Sequence, residues 1–311
     1  MHKKKFIVSS FYKFVYLRNP DVIKKKLFID LNKFNIKGTF ILGKEGINAS
    51  FSVSAEQFDK VKNLIRNLIS TKIKFKNQFD NNHSFLRLKI KEKKEIVSLG
   101  QKNVSPEEKT GFFVDPDSWD KFISDPDSII IDTRNDYESD IGSFKRSVKT
   151  KTNNFREFPI WFEKHKKKLL KKKIGMFCTG GIRCEKASNF LINKGYKNIF
   201  QLDGGIIEYL NKTKNKSKMW EGECFVFDER VSLNDKLEKG LYSQCFACRS
   251  AITHVDTKSK YFKLGVSCPK CFKEKSKKQR ARYRERQRQM QIAQKKGIKH
   301  IGSYSFPSVG I

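Results

Sequence analysis

The chain has 311 residues and a formal net charge of +33, from 66 lysines and arginines against 33 acidic residues. This length predicts about two or three domains, and a hydrophobic content of 38% is enough to build their cores. The excess charge favours a polyanionic partner such as nucleic acid, although a genome biased towards lysine would also produce it.

The seven cysteines are an odd number, and their spacing is typical of metal and catalytic sites. We therefore expect a reducing compartment and no disulfide framework. The N-terminus is basic and then apolar, but Lys13 and Arg18 interrupt it and no small-residue cleavage site follows, so no signal peptide is predicted. No apolar run reaches membrane-spanning length. The sequence predicts a cytoplasmic protein with no membrane partner.

The first predicted domain, residues 1–98, alternates strands and helices. Its order is strand, helix, strand, strand, helix, strand, which is the ferredoxin-like pattern. Such a fold determines no chemistry by itself, and we expect it to bind or orient a substrate. We predict strands over residues 6–17, 38–43, 47–53 and 85–97, and helices that begin at Pro20 and after Ser54, with Ser54 as the N-cap.

The segment 44–49 joins two of these strands and contains Gly46. A glycine suits a hairpin turn, and physical reasoning alone favours that interpretation over a loop that contacts a substrate. Residues 98–114 then form a predicted linker.

The second predicted domain, residues 112–217, has the alternating pattern of a doubly wound parallel sheet. Its strands are predicted over 128–134, 174–177 and 198–202. Because the carboxyl ends of parallel strands line the functional crevice, Asp132 and Arg134 should lie near Cys178. Arg134 could hold an anion there, or the two residues could form an ion pair that ties down the loop.

Cys178 ends a predicted strand and begins what we call the active loop, residues 178–183. Glycines let such a loop curl its backbone N–H groups towards an anion, and the following helix N-terminus and an arginine add positive charge. These features lower a thiol pKa and favour a nucleophilic thiolate; the alternative is a small buried hydrophobic residue. After Cys178, the loop comprises Thr179, Gly180, Gly181, Ile182 and Arg183.

Two Cys-x-x-Cys pairs lie in a third predicted segment, residues 218–272. Four thiolates at this spacing suit a structural zinc ion; two disulfides, or a module without metal, are the alternatives. Cys224 stands apart and is predicted to be a buried thiol, and His254 is a possible substitute ligand. The predicted ligands are Cys245, Cys248, Cys268 and Cys271.

The last predicted segment, the basic tail of residues 273–311, has helical propensity but no continuous apolar stripe. It could be disordered by itself or be a solvated helix, and we favour contact with RNA, through phosphates and through stacking on an aromatic ring. The candidates are Arg280, Arg282, Tyr283, Arg284, Arg286 and Arg288.

Residues 178–184, Cys-Thr-Gly-Gly-Ile-Arg-Cys, resemble the active-site loop of rhodaneses, sulfurtransferases in which the loop cysteine carries a persulfide. A narrower resemblance, to the rhodanese-containing tRNA uridine-34 hydroxylase family, covers most of the chain. It includes residues 44–49, 132–138, 155–159, 178–188, 203–209 and 225–230.

This resemblance implies a rhodanese-like central domain and oxygen-dependent formation of 5-hydroxyuridine at the tRNA wobble position. It makes Cys178 the active cysteine and Glu45 and Asn48 candidates for substrate contact. Cys184 stands where ordinary rhodaneses often have serine, and it could resolve a disulfide with Cys178 or simply pack. The implied partner is tRNA, molecular oxygen is the co-substrate, and no nucleotide-cofactor motif is found.

Three other functions stay open at this point. The same thiol could serve a sulfurtransferase, acting on tRNA or more generally. A non-catalytic RNA-binding protein would not need an activated thiol loop. A cysteine phosphatase is the weakest alternative, because rhodanese-like phosphatases have a loop one residue longer than residues 178–183.

Overall fold

The computed structural model describes residues 5–69, 71–214 and 219–297. Within them the chain forms two compact units: residues 5–226 with 233–238, and residues 227–232 with 239–297. The ends of the predicted segments at residues 1–4, 217–218 and 298–311 lie outside the described residues.

The first unit begins with a five-stranded sheet covered by two helices. Its elements are β1 (Phe6–Phe14), α1 (Pro20–Asn32), β2 (Lys37–Gly43), β3 (Gly46–Ser54), α2 (Phe58–Ile69), β4 (Lys76–Asp80) and β5 (Leu88–Glu92). The strand order β4-β1-β3-β2 confirms the predicted ferredoxin-like domain, and β5 is added at the edge, parallel to β2. The core includes Leu27 and Leu31 of α1 and Val61 and Ile65 of α2.

The prediction of a fourth strand over residues 85–97 was right about a strand there but wrong about its bounds and its place in the pattern. The strand that completes the ferredoxin-like pattern is β4, which pairs with β1, and only Leu88–Glu92 of the predicted segment is extended. The pattern of β4 misleads because its buried side chains are Lys76 and Gln78, whereas Phe79 is exposed. Alternation of apolar residues cannot find a strand that turns its polar side chains inward.

The predicted N-cap at Ser54 is also corrected. A 3₁₀ turn, Ala55–Gln57, precedes α2, and the Ser54 hydroxyl donates to Gln57 Oε1 at 3.1 Å. Its side chain makes no capping bond to the backbone of the turn.

The first unit continues with β6 (Phe112–Val114), α3 (Pro116–Ser124), β7 (Ser128–Asp132), α4 (Asp136–Ser139), β8 (Gly142–Phe144), β9 (Ser147–Lys149), α5 (Phe158–Leu169), β10 (Lys173–Phe177), α6 (Ile182–Asn193), β11 (Ile199–Leu202) and α7 (Gly205–Thr213). Five of these strands form an all-parallel sheet of order β6-β11-β10-β7-β9, which confirms the parallel sheet predicted for the second domain. Helices cover both of its faces, since Ile130 of β7 shares one core cluster with Trp119 of α3, and Ile131 shares another with Phe162 of α5.

Short strands and two helices complete the described chain. β12 (Trp220–Gly222) pairs with β8, and β13 (Cys224–Phe225) and β14 (Ser232–Leu233) follow. The second unit contains β15 (Ser243–Gln244), β16 (Ala251–Ile252), α8 (His254–Lys258) and α9 (Lys277–Lys295). The described part of the basic tail is therefore helical. None of the helices in the described ranges is long and apolar enough to cross a membrane.

Candidate active site

The active loop connects β10 to α6 and closes around its own sulfur. Cys178 directly follows β10, and its side chain is buried. Gly181 precedes α6 with φ of +98°, a conformation that glycine adopts readily. Its N–H donates to Cys178 Sγ at 3.0 Å. The loop thus has the anion-binding form that the sequence predicted.

The surroundings of Cys178 favour its thiolate. Burial is the largest influence and opposes ionisation, but the Cys184 thiol, the Arg183 guanidinium and the backbone N–H groups of Arg183 and Gly181 outweigh it. Together they hold the pKa of Cys178 well below its usual range. Because the thiolate is the reactive form, these surroundings favour a nucleophilic role for Cys178.

Cys184 behaves in the opposite way. Burial, followed by the neighbouring Cys178, raises the pKa of its thiol well above the usual range. The Thr133 hydroxyl lies 3.6 Å from Cys184 Sγ. The structure therefore brings the two predicted cysteines together as one thiolate and one protonated thiol.

Arg183 is paired with a glutamate that the sequence analysis missed. Its Nη1 and Nη2 donate to the two carboxylate oxygens of Glu138 at 2.6 and 2.7 Å, and both residues are buried. Glu138 also accepts a bond from the N–H of Asn135, as the third residue of a capping box. The local sequence indicates a helix cap, and it contains no signal for the distant arginine.

Asp132 and Arg134 do not form an anion site. Both side chains are fully buried, and Arg134 donates to both oxygens of Asp132, at 2.9 and 2.7 Å. Its remaining bonds reach the carbonyls of Glu138 and Gly142. The prediction that Arg134 holds an anion is therefore corrected, because its donors tie down the chain after β7. The strand ends themselves are adjacent as expected, since Asp132 pairs with Phe177.

The ferredoxin-like domain contributes two side chains to the active loop. The Tyr12 hydroxyl of β1 donates to Glu185 Oε1 at 2.6 Å, and Lys76 of β4 donates to the Gly180 carbonyl. A Cβ atom added at Gly181 would lie 2.9 Å from the Tyr12 hydroxyl. Both residues were missed by the sequence analysis because contacts between domains leave no local pattern.

Of the two predicted substrate contacts, Glu45 joins the two domains, whereas Asn48 bonds within the first domain. The ammonium of Lys186 on α6 donates to Glu45 and Glu95, at 2.9 and 2.6 Å. Asn48 Nδ2 donates to the carbonyl of Ile96, and the backbone N–H of Ile96 donates to Glu45 Oε1. These polar groups are engaged within the chain, and their contact with a substrate stays a prediction. Glu45 and Glu95 hold α6, and hence the active loop, against the first domain.

The start of α7 holds the backbone of the active loop through hydrogen bonds. The N–H groups of Ile206 and Ile207 donate to the carbonyls of Cys178 and Thr179 at 3.0 and 3.2 Å. Gly205 has φ of +70°, and a Cβ atom there would lie 2.5 Å from the Cys178 carbonyl. Only glycine allows this close approach of two backbones.

The four predicted ligand cysteines lie together in the second unit. Their sulfur atoms are all within 4.8 Å of one another. The Sγ atoms of Cys248 and Cys268 are 3.8 Å apart, as are those of Cys268 and Cys271. A tetrahedral ion with Zn–S bonds of about 2.3 Å separates its sulfurs by about 3.8 Å, so the cluster could hold such an ion. The exposed His254 is outside this cluster, and Cys224 is a buried thiol whose pKa burial raises to about 12.

The basic helix α9 divides its arginines between two roles. Arg280 donates to the Phe272 carbonyl at 2.7 Å, and Arg286 donates to the carbonyls of Phe246 and Gly265 at 2.6 and 3.1 Å. These two arginines attach the helix to the cysteine module. Arg288 pairs with Glu285 at 3.0 Å, and the Arg286 guanidinium lies 5.2 Å from the centre of the half-buried Tyr283 ring. The exposed arginines among the predicted RNA contacts are Arg282, Arg284 and Arg288.

Two family models match the chain. The UPF0176 acylphosphatase-like domain matches residues 6–96, and the rhodanese-like domain matches residues 115–212. These two matches cover the ferredoxin-like domain and the parallel sheet that carries the active loop.

Solved structures show more distant likenesses. A rhodanese-like domain from Anabaena is 18% identical, over 35% of this chain and 77% of that one, with a TM-score of 0.29. A rhodanese-related protein from Thermoplasma volcanium is 22% identical, over 32% and 92%, with a TM-score of 0.25. An As-Sb reductase from Leishmania major is 18% identical, over 47% and 94%, with a TM-score of 0.29. These identities and TM-scores are too low to indicate a function.

Proposed function

We propose that this chain has the function of the UPF0176 rhodanese-domain tRNA hydroxylase family, to which it belongs. It carries the N-terminal domain and the rhodanese-like domain of that family in the same order. The protein hydroxylates C5 of the uridine at the wobble position of tRNA. Cys178 is its active thiol, and molecular oxygen is the co-substrate.

The contact between the two matched domains at the active loop is the observation that carries this proposal. Tyr12 and Lys76 reach the loop from the UPF0176-type domain, and Glu45 joins that domain to the helix behind it. This arrangement supports a chemistry special to the two-domain family, performed by a thiolate within reach of both domains.

The proposed reaction balances as a monooxygenation. One oxygen atom enters the C5–H bond of uridine and forms C5–OH. The other leaves as water, formed with two protons and two electrons from a thiol reductant. Cys178 and Cys184 are adjacent thiols in the site, and Cys178 is the one kept ionised for reaction.

A sulfurtransferase acting on tRNA is the second candidate. Its support is the bond from the Gly181 N–H to Cys178 Sγ, because a loop that stabilises an anionic sulfur also suits a persulfide. An RNA-binding protein without catalysis would have no use for a buried thiol whose pKa is held low.

Nucleoside mass spectrometry of cellular tRNA separates these functions. Cells that lack the gene are complemented with the wild-type chain, with Cys178→Ser, or with Cys224→Ser as a control at a buried thiol outside the loop. We expect Cys178→Ser alone to lose the 5-hydroxyuridine derivatives at the wobble position. Loss of thiolated uridine would instead support the sulfurtransferase, and tRNA unchanged by Cys178→Ser would overturn both.

The four clustered cysteines support a structural zinc ion, which would staple a module with a small apolar core. Metal analysis of the purified chain should find about one zinc per molecule. Cys268→Ser should lose the metal and lower the melting temperature, whereas Cys224→Ser should keep the metal. A wild-type chain without metal would contradict this assignment.

A further inference from the structure

A buried lysine without a carboxylate partner lies beside the active loop. Lys76 is 6% exposed; its ammonium donates to the Gly180 carbonyl and lies 4.9 Å from the centre of the Tyr12 ring. Within residues 5–69, 71–214 and 219–297, no carboxylate lies at ion-pair distance from Lys76 Nζ. Burying a charge is costly unless an opposite charge is close, so this ammonium needs an anion.

The other buried cations at the loop are already paired. Arg183 forms a bidentate ion pair with Glu138, and Lys186 forms ion pairs with Glu45 and Glu95. Arg183 also favours the thiolate of Cys178, but its own charge already has a buried partner in Glu138. Of these three buried cations at the loop, Lys76 is the one without a carboxylate at ion-pair distance in the described part of the chain.

We propose that Lys76 is a second counter-cation of the Cys178 sulfur, beside Arg183, and that the ferredoxin-like domain brings it to the active loop. It is a positioning residue, which balances the negative charge on the sulfur and holds the Gly180 carbonyl away from that charge. This inference rests on Cys178 being the active thiol of the proposed function, but it does not depend on which reaction that thiol performs.

The electrostatics of Lys76 agree with this pairing. Burial lowers the pKa of its ammonium, and the charge of Cys178 is the largest influence that opposes burial. Tyr12, whose ring faces the ammonium, has its own pKa raised well above the usual range by burial and by Glu185. Tyr12 is therefore a neutral hydrogen-bond donor, and it does not neutralise the positive charge of Lys76.

The pairing also gives the ferredoxin-like domain a task in the chemistry. The loop of the rhodanese-like domain supplies the thiol, the backbone N–H groups and Arg183, whereas the further positive charge comes from Lys76 on β4. The groups that titrate or carry charge around Cys178 and Lys76 are Tyr12 and Lys13 on β1, Lys74 before β4, Glu138 on α4, Arg183, Cys184 and Glu185 on α6, Asp203 after β11, and Cys224 on β13.

The test is the pH dependence of Cys178 alkylation by iodoacetamide in the full chain, followed by mass spectrometry of the Cys178 peptide. Lys76→Met should move the midpoint of the rate profile upward by about one pH unit, because an opposite charge close to an ionisable group shifts its pKa by this amount or more. Lys76→Arg keeps the charge and should restore the midpoint.

Lys74→Met is the matched control, because this exposed lysine is near β4 but pairs with Asp203 at 3.0 Å. Its midpoint should equal that of the wild type. The proposal would be overturned if Lys76→Met left the midpoint of the rate profile unchanged. This holds also if the substitution slowed alkylation by the same factor at every pH. Should Lys76→Met fail to fold, Lys76→Gln has the same expectation, since its amide can still donate to the Gly180 carbonyl.

The alkylation experiment and the tRNA measurement test different claims, so either result can be negative without the other. A shifted midpoint together with tRNA that Cys178→Ser leaves unchanged would keep Lys76 as counter-cation and reject both tRNA reactions. An unshifted midpoint together with lost 5-hydroxyuridine in Cys178→Ser would keep the hydroxylase and reject the role of Lys76.

Discussion

At the scale of single residues, the site depends on buried cations, three of which lie against carboxylates. Glu138 neutralises Arg183, Asp132 neutralises Arg134, and Glu45 with Glu95 neutralises Lys186. A buried pair of this kind adds little net stability over apolar residues, but removing one partner leaves an uncompensated charge. Each pair therefore fixes a position in the site more than it strengthens the fold.

Glu138→Ala tests this view of the buried pairs. We expect it to lower the free energy of unfolding by about 3 kcal/mol, because the Arg183 guanidinium stays buried without its partner. Glu163→Ala removes an exposed pair with Lys166 and Lys194 and should cause no measurable change. Urea titration gives both values. Equal effects of the two substitutions would show that burial of the pair is unimportant.

At the scale of elements, the active loop is held between two helix N-termini. It leads into α6, and the first N–H groups of α7 bond to its carbonyls. The helices must come close to the loop backbone, and Gly205 is the residue that permits this. The geometry of the sulfur thus depends on a glycine distant from Cys178 in the sequence.

Gly205→Ala should push the Cys178 carbonyl out of place and abolish the fast alkylation of Cys178 at neutral pH. Gly195→Ala is the matched control, because Gly195 also has positive φ, of +90°, but faces open space. Both variants should lose about 1–2 kcal/mol from the left-handed backbone alone. Normal Cys178 reactivity in Gly205→Ala would contradict the supporting role of α7.

At the scale of the whole molecule, the net charge of +33 is distributed between structural and free cations. On α9, Arg280 and Arg286 donate to backbone carbonyls, whereas Arg282 and Arg284 are exposed. Only the exposed pair is available for a polyanion without loss of internal bonds. A role in RNA binding therefore belongs to a subset of the arginines that the sequence singled out.

Substitution of Arg282 and Arg284 by Gln together should weaken tRNA binding and reduce its salt slope by about 2, since two phosphate contacts are lost. The melting temperature should stay unchanged. Arg286→Gln should instead lower the melting temperature, because it breaks two bonds to carbonyls. Binding measured over a series of salt concentrations gives the slopes. An unaltered slope in the double variant would exclude these arginines from the RNA interface.

The features predicted correctly share one property, which is that their signal is local. The active loop at Cys178 and the Cys-x-x-Cys pairs are short segments, in which residue type and spacing determine backbone shape and ligand geometry. The parallel strands β7, β10 and β11 were found from their apolar runs, whereas the three-residue edge strands β6 and β9 were not predicted. The edge strand β4 was missed because Lys76 and Gln78 point inward and reverse the expected pattern.

The sequence by itself determined the two-domain order, the nucleophilic loop around Cys178 and the cysteine cluster. Only the tertiary structure decided which charges surround the sulfur. Glu138, Lys76 and Glu45 reach the loop and its helix from elements far away along the chain, and each residue type is equally common on a solvated surface. Pairing of buried charges depends on distance in space, which local periodicity does not encode.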